Sequence, residues 1–207
     1  MSDSSHQPEI VRAAKLELRR RLLAHRRGLP PEARAAAAGR VQAELRQLVR
    51  RLAPRCVAGY VPVGSEPGGP DLPDVLADAV GPGGRVLLPV LRPDLDLEWA
   101  EHRRGAELHA AGRGLREPTG PRLGVRSVTV ASLVVLPALA VDGSGVRLGR
   151  GGGSYDRALA RVDPAALTVA LLHDGELLDT VPTEPHDGRV RAVITPAGLR
   201  WLPVAGV

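Results

Sequence analysis

Leu133-Val134-Val135-Leu136-Pro137-Ala138-Leu139-Ala140-Val141 leads, after a short turn, to Arg147-Leu148-Gly149-Arg150-Gly151-Gly152-Gly153-Ser154-Tyr155-Asp156-Arg157. An apolar run from Leu133 to Leu139 reads as a strand covered on both faces, which places it in the middle of a parallel sheet. Asp156 to Val162 reads as a helix. Between them, four of the five positions from 149 to 153 are glycine, which permits positive φ and lets the backbone approach a ligand closely. Strand, glycine turn and helix N-terminus together can hold an anion through backbone N–H groups and the helix dipole. Arg147 and Arg150 add positive charge, and Asp156 supplies a hard oxygen ligand of the kind Mg²⁺ takes. The combination points to nucleotide phosphate. From the glycines alone, a plain surface turn stands equally open.

Outward from this stretch, the same alternation of short apolar runs and helical segments recurs. Cys56 to Val63 reads as a strand, followed by the loop Gly64-Ser65-Glu66-Pro67-Gly68-Gly69-Pro70. Leu72 to Val80 reads as a helix, Arg85 to Val90 and Leu95 to Ala100 as strands, and Leu167 to Leu172 and Arg189 to Thr195 complete the set. Segment 101–127 carries no clear period. Near the N-terminus, Ile10, Ala14, Leu18 and Leu22 recur every fourth residue, which predicts a helix over Ile10 to Arg27. Gly28 and Pro30-Pro31 end it, and a second helix follows over about 32–52, with Val41, Leu45, Leu48, Val49 and Leu52 as its apolar face. Strands separated by helices imply a three-layer α/β/α fold with a largely parallel central sheet and the N-terminal helical hairpin packed on it. Residues 1–9 are expected to be disordered and 10–207 to form a single domain.

The chain has 207 residues, enough to bury a substantial core, with 43% apolar and 25% charged residues. No apolar run reaches the roughly 18 residues of a membrane span, and the N-terminus lacks the pattern of a signal peptide. A cytoplasmic protein is expected. The single cysteine, Cys56, excludes an internal disulfide and a cysteine-only metal cage. The net charge of +5 raises nucleic acid as a partner. However, residues 1–55 carry 13 basic and 5 acidic residues, so the excess sits on the two helices. With only Tyr60, Trp99, Tyr155 and Trp201 available for stacking, a solvated basic face is the simpler reading and no specific nucleic acid is expected. Of the 28 basic residues only Lys15 is lysine. Its survival in so arginine-biased a chain points to a compact ammonium at a phosphate; Arg19, one turn on, projects from the same side.

Several phosphate and catalytic motifs are absent. There is no G-x-x-x-x-G-K-[ST]. The dinucleotide pattern G-x-G-x-x-G meets Gly149 and Gly151 but finds Ser154 in the third place. A nucleophile elbow lacks its spacing around Ser144 and Ser154. Glu66, in a loop after a strand, reads either as a solvent-facing acid or as a ligand contact. Pro182-Thr183-Glu184-Pro185-His186-Asp187 reads as a rigid polar turn. Trp99 is open between stacking on a flat ligand and packing in the core.

Taken together, these residues resemble the 5-formyltetrahydrofolate cyclo-ligase family, also called methenyltetrahydrofolate synthetases. Lys15-Leu16-Glu17-Leu18-Arg19 is similar to its K-x-x-L-R, and Tyr60 to Glu66 to its strand and substrate-facing Glu. Arg85 to Pro89, Gly114 to Pro118 and Leu136 to Asp142 follow in the family's order. The signature R-L-G-x-G-x-G-Y-Y-D meets Arg147 to Asp156, and P-x-E-x-H-D meets Pro182 to Asp187. Ser154 stands where the first signature Tyr is common. The resemblance covers residues 10–198 and implies ATP and Mg²⁺ as cofactors and a reduced folate as substrate, in a monomer or weak dimer. It also implies that Lys15, Arg19, Arg147, Leu148, Gly149, Arg150, Gly151, Gly152, Gly153 and Tyr155 hold ATP. Lys15, Arg150 and Tyr155 would be catalytic, Glu66, Trp99, Arg150 and Ser154 would meet the folate, and Asp156 and Asp187 would hold Mg²⁺.

Overall fold

In a computed structural model, residues 6–184 and 187–203 are described, with side chains from residue 8 onward. Helix α1 spans His6–Gly28 and α2 spans Pro31–Leu52. The first helix starts earlier than expected, so residues 6–9 are helical and only residues 1–5 of the segment expected to be disordered lie outside the described chain. Pro8 falls in the first turn, where its missing N–H has no helical partner to lose, and Glu9 complements the positive end of the dipole. Pro31 opens α2, and Ala53, in the left-handed region at φ 44°, closes it by donating its N–H to Val49 O.

Strand β1 (Cys56–Ala58), helix α3 (Leu72–Val80), β2 (Arg85–Leu91) and β3 (Leu97–His102) follow. β4 (Leu108–Ala110) and β5 (Arg116–Pro118) form a small hairpin that aperiodic sequence concealed. β6 (Leu133–Pro137), β7 (Ala140–Asp142), β8 (Arg147–Leu148), helix α4 (Ser154–Leu159), β9 (Leu167–Leu171), β10 (Leu177–Leu178), β11 (Ala192–Thr195) and β12 (Gly198–Trp201) complete the chain. The main sheet has seven strands in the order β12-β11-β9-β6-β1-β2-β3. Its inner pairs are parallel, and only the edge pairs β11–β12 and β2–β3 are antiparallel. The most apolar run thus occupies the middle of the sheet, as its composition demands.

Side chains of the inner strands alternate between two cores. Val57, Val86, Leu133, Val135, Val169 and Ile194 meet Val41, Leu45 and Leu48 of α2 and Leu72 and Leu76 of α3. On the opposite face, Ala58, Leu87, Val134, Leu136 and Val193 meet Trp99, Val128 and Ala158. The apolar part of α1 is short: Leu22, flanked by Leu18 and Leu23, packs on Leu139, Ala140 and Leu148.

Two corrections bear on the site. The strand expected over Leu133 to Leu139 ends at Pro137. Pro137 has no N–H to continue a ladder, and the chain turns into β7, which joins β8 and β10 in a separate three-stranded sheet. The glycine loop therefore leaves β8. The turn between β7 and β8 is held by Asp142 Oδ1, which accepts from the N–H groups of Ser144 and Val146. It also requires Gly145, at φ +85°, where a Cβ would lie 2.4 Å from Val190 O. The buried stripe of α1 is also rotated from the one the apolar residues outline. Ile10 and Ala14 are exposed, while Lys15, Leu22 and Arg26 are buried. Among the described residues no helix is long and apolar enough to cross a membrane.

Candidate active site

The loops after the parallel strands enclose a cavity of 510 Å³. It is lined by Tyr60, Val61 and Val63 beyond β1, Pro89 and Leu91 at the end of β2, Pro137 at the end of β6, and Ala138 and Leu139 just beyond it. This is the carboxyl edge of the sheet, where open α/β folds bind ligands because diverging loops leave a crevice. One wall is α1, from which Lys15 and Arg26 are buried, Arg19 is half-buried and the largely exposed Arg12 borders the rim. Their spacing of three, four and seven residues is one helical face. Part of the basic surplus of the N-terminal helices thus faces the cavity rather than solvent.

Lys15 is 5% exposed. Its ammonium donates to Glu184 Oε2 at 2.7 Å and to Asp187 Oδ2 at 2.6 Å. Burial by itself would lower the Lys15 pKa, but the bonds to Asp187 and Glu184 outweigh it, so the ammonium is held above its ordinary value. Burial likewise opposes ionisation of Asp187, and its bonds to Lys15 and to the Glu184 N–H reverse that, holding the carboxyl below the usual range. Arg19 Nε donates to Gly149 O at 2.9 Å, which ties α1 directly to the glycine loop.

The loop itself is built by its flanks. Gly151 and Gly153 sit at φ +102° and +69°, conformations that other residues rarely adopt. Arg157 Nη2, from α4, donates to Gly152 O at 3.2 Å and to Leu95 O at 2.6 Å, which fastens the loop to the β2–β3 turn. Arg147 pairs with Asp156, whose Oδ1 also accepts the Gly188 N–H at 3.2 Å. Arg150 Nε lies 3.0 Å from Glu66 Oε1, while Glu66 Oε2 accepts the Val63 N–H at 2.9 Å. Burial raises the Glu66 carboxyl above its ordinary value despite the Arg150 charge, and burial beside Glu66 raises the Tyr155 phenol far above its own.

Fourteen residues expected to act on ligands share one cavity: Lys15, Arg19, Glu66, Asp187 and every position from 147 to 156. Trp99 does not line it. Alternation along β3 turns it into the sheet interior, where it is fully buried against Val128 and Ala131. It is a core residue, and its rarity in the chain carried no functional message. Asp156 and Asp187, expected to hold Mg²⁺, both reach the cavity. Among the described residues no group of three or more His, Cys, Asp or Glu is arranged to hold a metal by itself. His186, noted in the same turn, lies outside the described residues. Sequence reasoning missed Glu184, Arg12, Arg26 and Glu117 as lining residues. Glu184 was legible in the motif P-x-E-x-H-D, and Arg12 in its position one turn before Lys15. Glu117, whose Oε1 accepts the Leu91 N–H at 2.9 Å, sits in the aperiodic segment and had no such signal.

A cleft over the carboxyl edge of a mixed sheet, lined by cations, a glycine loop and carboxylates, has the form of an α/β enzyme's active site. The residues that build it narrow the class. The chain belongs to the 5-formyltetrahydrofolate cyclo-ligase family, whose profile matches residues 11–196. It is 45% identical over 188 residues to a 5-formyltetrahydrofolate cyclo-ligase of Mycolicibacterium smegmatis, covering 88% of this chain and 94% of that one. The Escherichia coli K12 protein of the same name is 36% identical over 121 residues, 56% of this chain and 65% of that one. The fold is similar to the NMR structure of Aquifex aeolicus 5,10-methenyltetrahydrofolate synthetase, with a TM-score of 0.77 at 26% identity over 93% of this chain and 95% of that one. A Mycoplasma pneumoniae 5,10-methenyltetrahydrofolate synthetase shares the fold at a TM-score of 0.69 and 16% identity, over 88% and 98% of the two chains.

Proposed function

We propose that this protein converts 5-formyltetrahydrofolate to 5,10-methenyltetrahydrofolate, consuming ATP and releasing ADP and phosphate. The observation that carries this reading is the cation stripe of Lys15 and Arg19 facing the glycine loop across the same cavity that holds Glu66. The formyl oxygen is a poor leaving group. In the proposed sequence it attacks the γ-phosphorus, ADP departs, and N10 attacks the activated carbon. The C–O bond to phosphate then breaks as the ring closes and the N10 proton is lost. Such a reaction needs positioning and neutralisation of phosphate charge more than covalent help from the protein.

Lys15 and Arg19, with the N–H groups of the loop from Gly149 to Gly153, would take the phosphates, and Arg147 and Arg150 add charge behind them. Arg150 also fixes Glu66 at 3.0 Å, so one cation connects the phosphate side to the folate side. Glu66, buried and acceptor-rich, suits the N–H edge of a reduced pteridine; Ser154 and Tyr155 border the same space. Asp156 and Asp187 would hold Mg²⁺: both carboxylates line the cavity, Asp156 Oδ1 accepts the N–H of Gly188 next to Asp187, and Mg²⁺ commonly takes one or two carboxylates together with phosphate and water. When bound, Mg²⁺ neutralises charge on the transferring phosphates.

The test is an absorbance assay for the methenyl product with purified protein and 5-formyltetrahydrofolate, with and without MgATP. A product that forms only with MgATP is expected. Absence of any ATP-dependent product refutes the proposal.

A further inference from the structure

Between β9 and β10 the chain turns through His173-Asp174-Gly175-Glu176. Neither His173 nor Glu176 lines the cavity, yet His173 is 4% exposed and Glu176 is fully buried. A carboxylate at such depth persists only when its oxygens are satisfied, and these are. Glu176 Oε1 accepts from Arg26 Nε at 2.6 Å, and Oε2 accepts from Arg26 Nη2 at 2.8 Å and from the His173 N–H at 2.7 Å. Arg26 belongs to α1, the helix that carries Lys15 and Arg19, and also donates to Ala138 O.

The other side of the same turn reaches the folate side. His173 Nε2 lies 2.9 Å from Ser65 O. A carbonyl only accepts, so Nε2 carries the proton. Ser65 immediately precedes Glu66, in a loop where Gly64, Gly68 and Gly69 all have positive φ. Tyr60 and Gln42 pin the far part of that loop through Pro67 O at 2.6 Å and Gly68 O at 2.8 Å. His173 holds the peptide directly ahead of the carboxylate.

We propose that His173 is a positioning residue for the cyclo-ligase reaction: it fixes the Glu66 backbone, while Glu176 keeps that turn in register with the helix carrying Lys15 and Arg19. This rests on the reading of Glu66 as the folate contact. Without the His173 donor the Ser65 peptide can rotate, and Glu66 spends time away from Val63 N–H and Arg150. Folate affinity falls by the fraction of time the competent arrangement is lost, while Lys15, Arg19 and the Arg19–Gly149 tie keep their contacts and Arg150 alone on the phosphate side loses a partner.

The experiment is steady-state kinetics on the full-length protein, varying 5-formyltetrahydrofolate at saturating MgATP and then the reverse. His173→Leu should raise KM for the folate about tenfold and leave KM for ATP within about twofold. His173→Gln, which places an amide N–H near the Nε2 position, should restore most of the loss. In a Glu66→Gln background, His173→Leu should cost little more, since the two act as one unit. If His173→Leu does not fold, His173→Asn, whose amide ends short of Ser65 O, takes its place. Equal losses for both substrates, no rescue by Gln, or full additivity with Glu66→Gln would overturn the proposal. Wild-type protein that forms no methenyl product removes the parent reading instead, and this one with it.

Discussion

Arg26→Met is the sharpest test of how this fold is held beneath its cavity. Arg26 is 1% exposed and Glu176 fully buried, with two charge-assisted bonds of 2.6 and 2.8 Å between them. Methionine keeps most of the volume but withdraws the guanidinium from Glu176 and one donor from Ala138 O. Removing one member of a buried pair costs about 3–5 kcal/mol, because the surviving charge stays in a low-dielectric interior. For a chain of this size each kcal/mol lowers Tm by about 2–4 °C, so a drop of roughly 6–20 °C is expected. Glu176→Gln alone should cost a comparable amount by isolating the guanidinium. The double variant Arg26→Met/Glu176→Gln buries no charge, and the introduced amide oxygen can still accept the His173 N–H. The charge-assisted bonds of Arg26 are lost, but what stays buried and unpaired is then neutral, the Gln amide N–H and Ala138 O, at about 1–3 kcal/mol rather than the cost of a stranded charge. The two single effects should therefore not add, and the double should be more stable than their sum implies. Thermal and urea unfolding followed by circular dichroism give the cycle. The reasoning fails if Arg26→Met shifts Tm by less than about 2 °C, or if the two single effects simply add.

Lys15→Ala should cut kcat/KM by about 10²–10³ with the fold retained, the usual cost of one lost charge-stabilising donor, and Lys15→Arg should rescue poorly because its planar fork does not replace a compact ammonium; normal turnover of the Ala variant at saturating ATP would sink the assignment. Glu66→Gln should lose folate affinity yet stabilise the protein at pH 7–8. Burial raises this carboxyl above its ordinary 4.5, so its charge penalises the fold at neutral pH, and the advantage of Gln disappears as pH falls through the raised value. Unfolding midpoints that differ equally at pH 8 and pH 4 would contradict this. Asp156→Asn should raise the Mg²⁺ concentration needed for half-maximal rate, and an unchanged titration would remove it from the metal site. Trp99→Phe should leave both KM values unaltered and cost about 1–3 kcal/mol of stability as a large-to-small change in the core; a selective rise in folate KM would return Trp99 to the site.

Local pattern was sufficient for much of this molecule because the forces involved are local. The period-3.6 stripes of α2 and α3, the central place of Leu133 to Pro137, and the glycine loop with its flanking arginines follow from residue type and spacing alone. Lys15 was legible for a different reason, as the one lysine among 28 basic residues. The same local reasoning misread α1, whose inner face is cationic rather than apolar. A helix that walls a polar cavity buries the cations that find carboxylate partners there, so Ile10 and Ala14 face solvent while Lys15 and Arg26 are buried against Glu184, Asp187 and Glu176. Local reasoning left Trp99 open between ligand and core, since an aromatic on an alternating strand does not reveal which face of the sheet it takes, and the resemblance alone had put it at the folate.

Residue identity and spacing were enough for the α/β class, the glycine loop at 147–156 as a wall of the cavity, and the family to which the chain belongs. Partnerships between distant residues needed the folded chain. Lys15 meets Glu184 and Asp187 across about 170 residues of chain, Arg150 meets Glu66, and Arg26 meets Glu176. These depend on where the strand ends converge. A charge in a sequence carries no record of its partner; burial makes the partner obligatory, and the fold chooses which one it is.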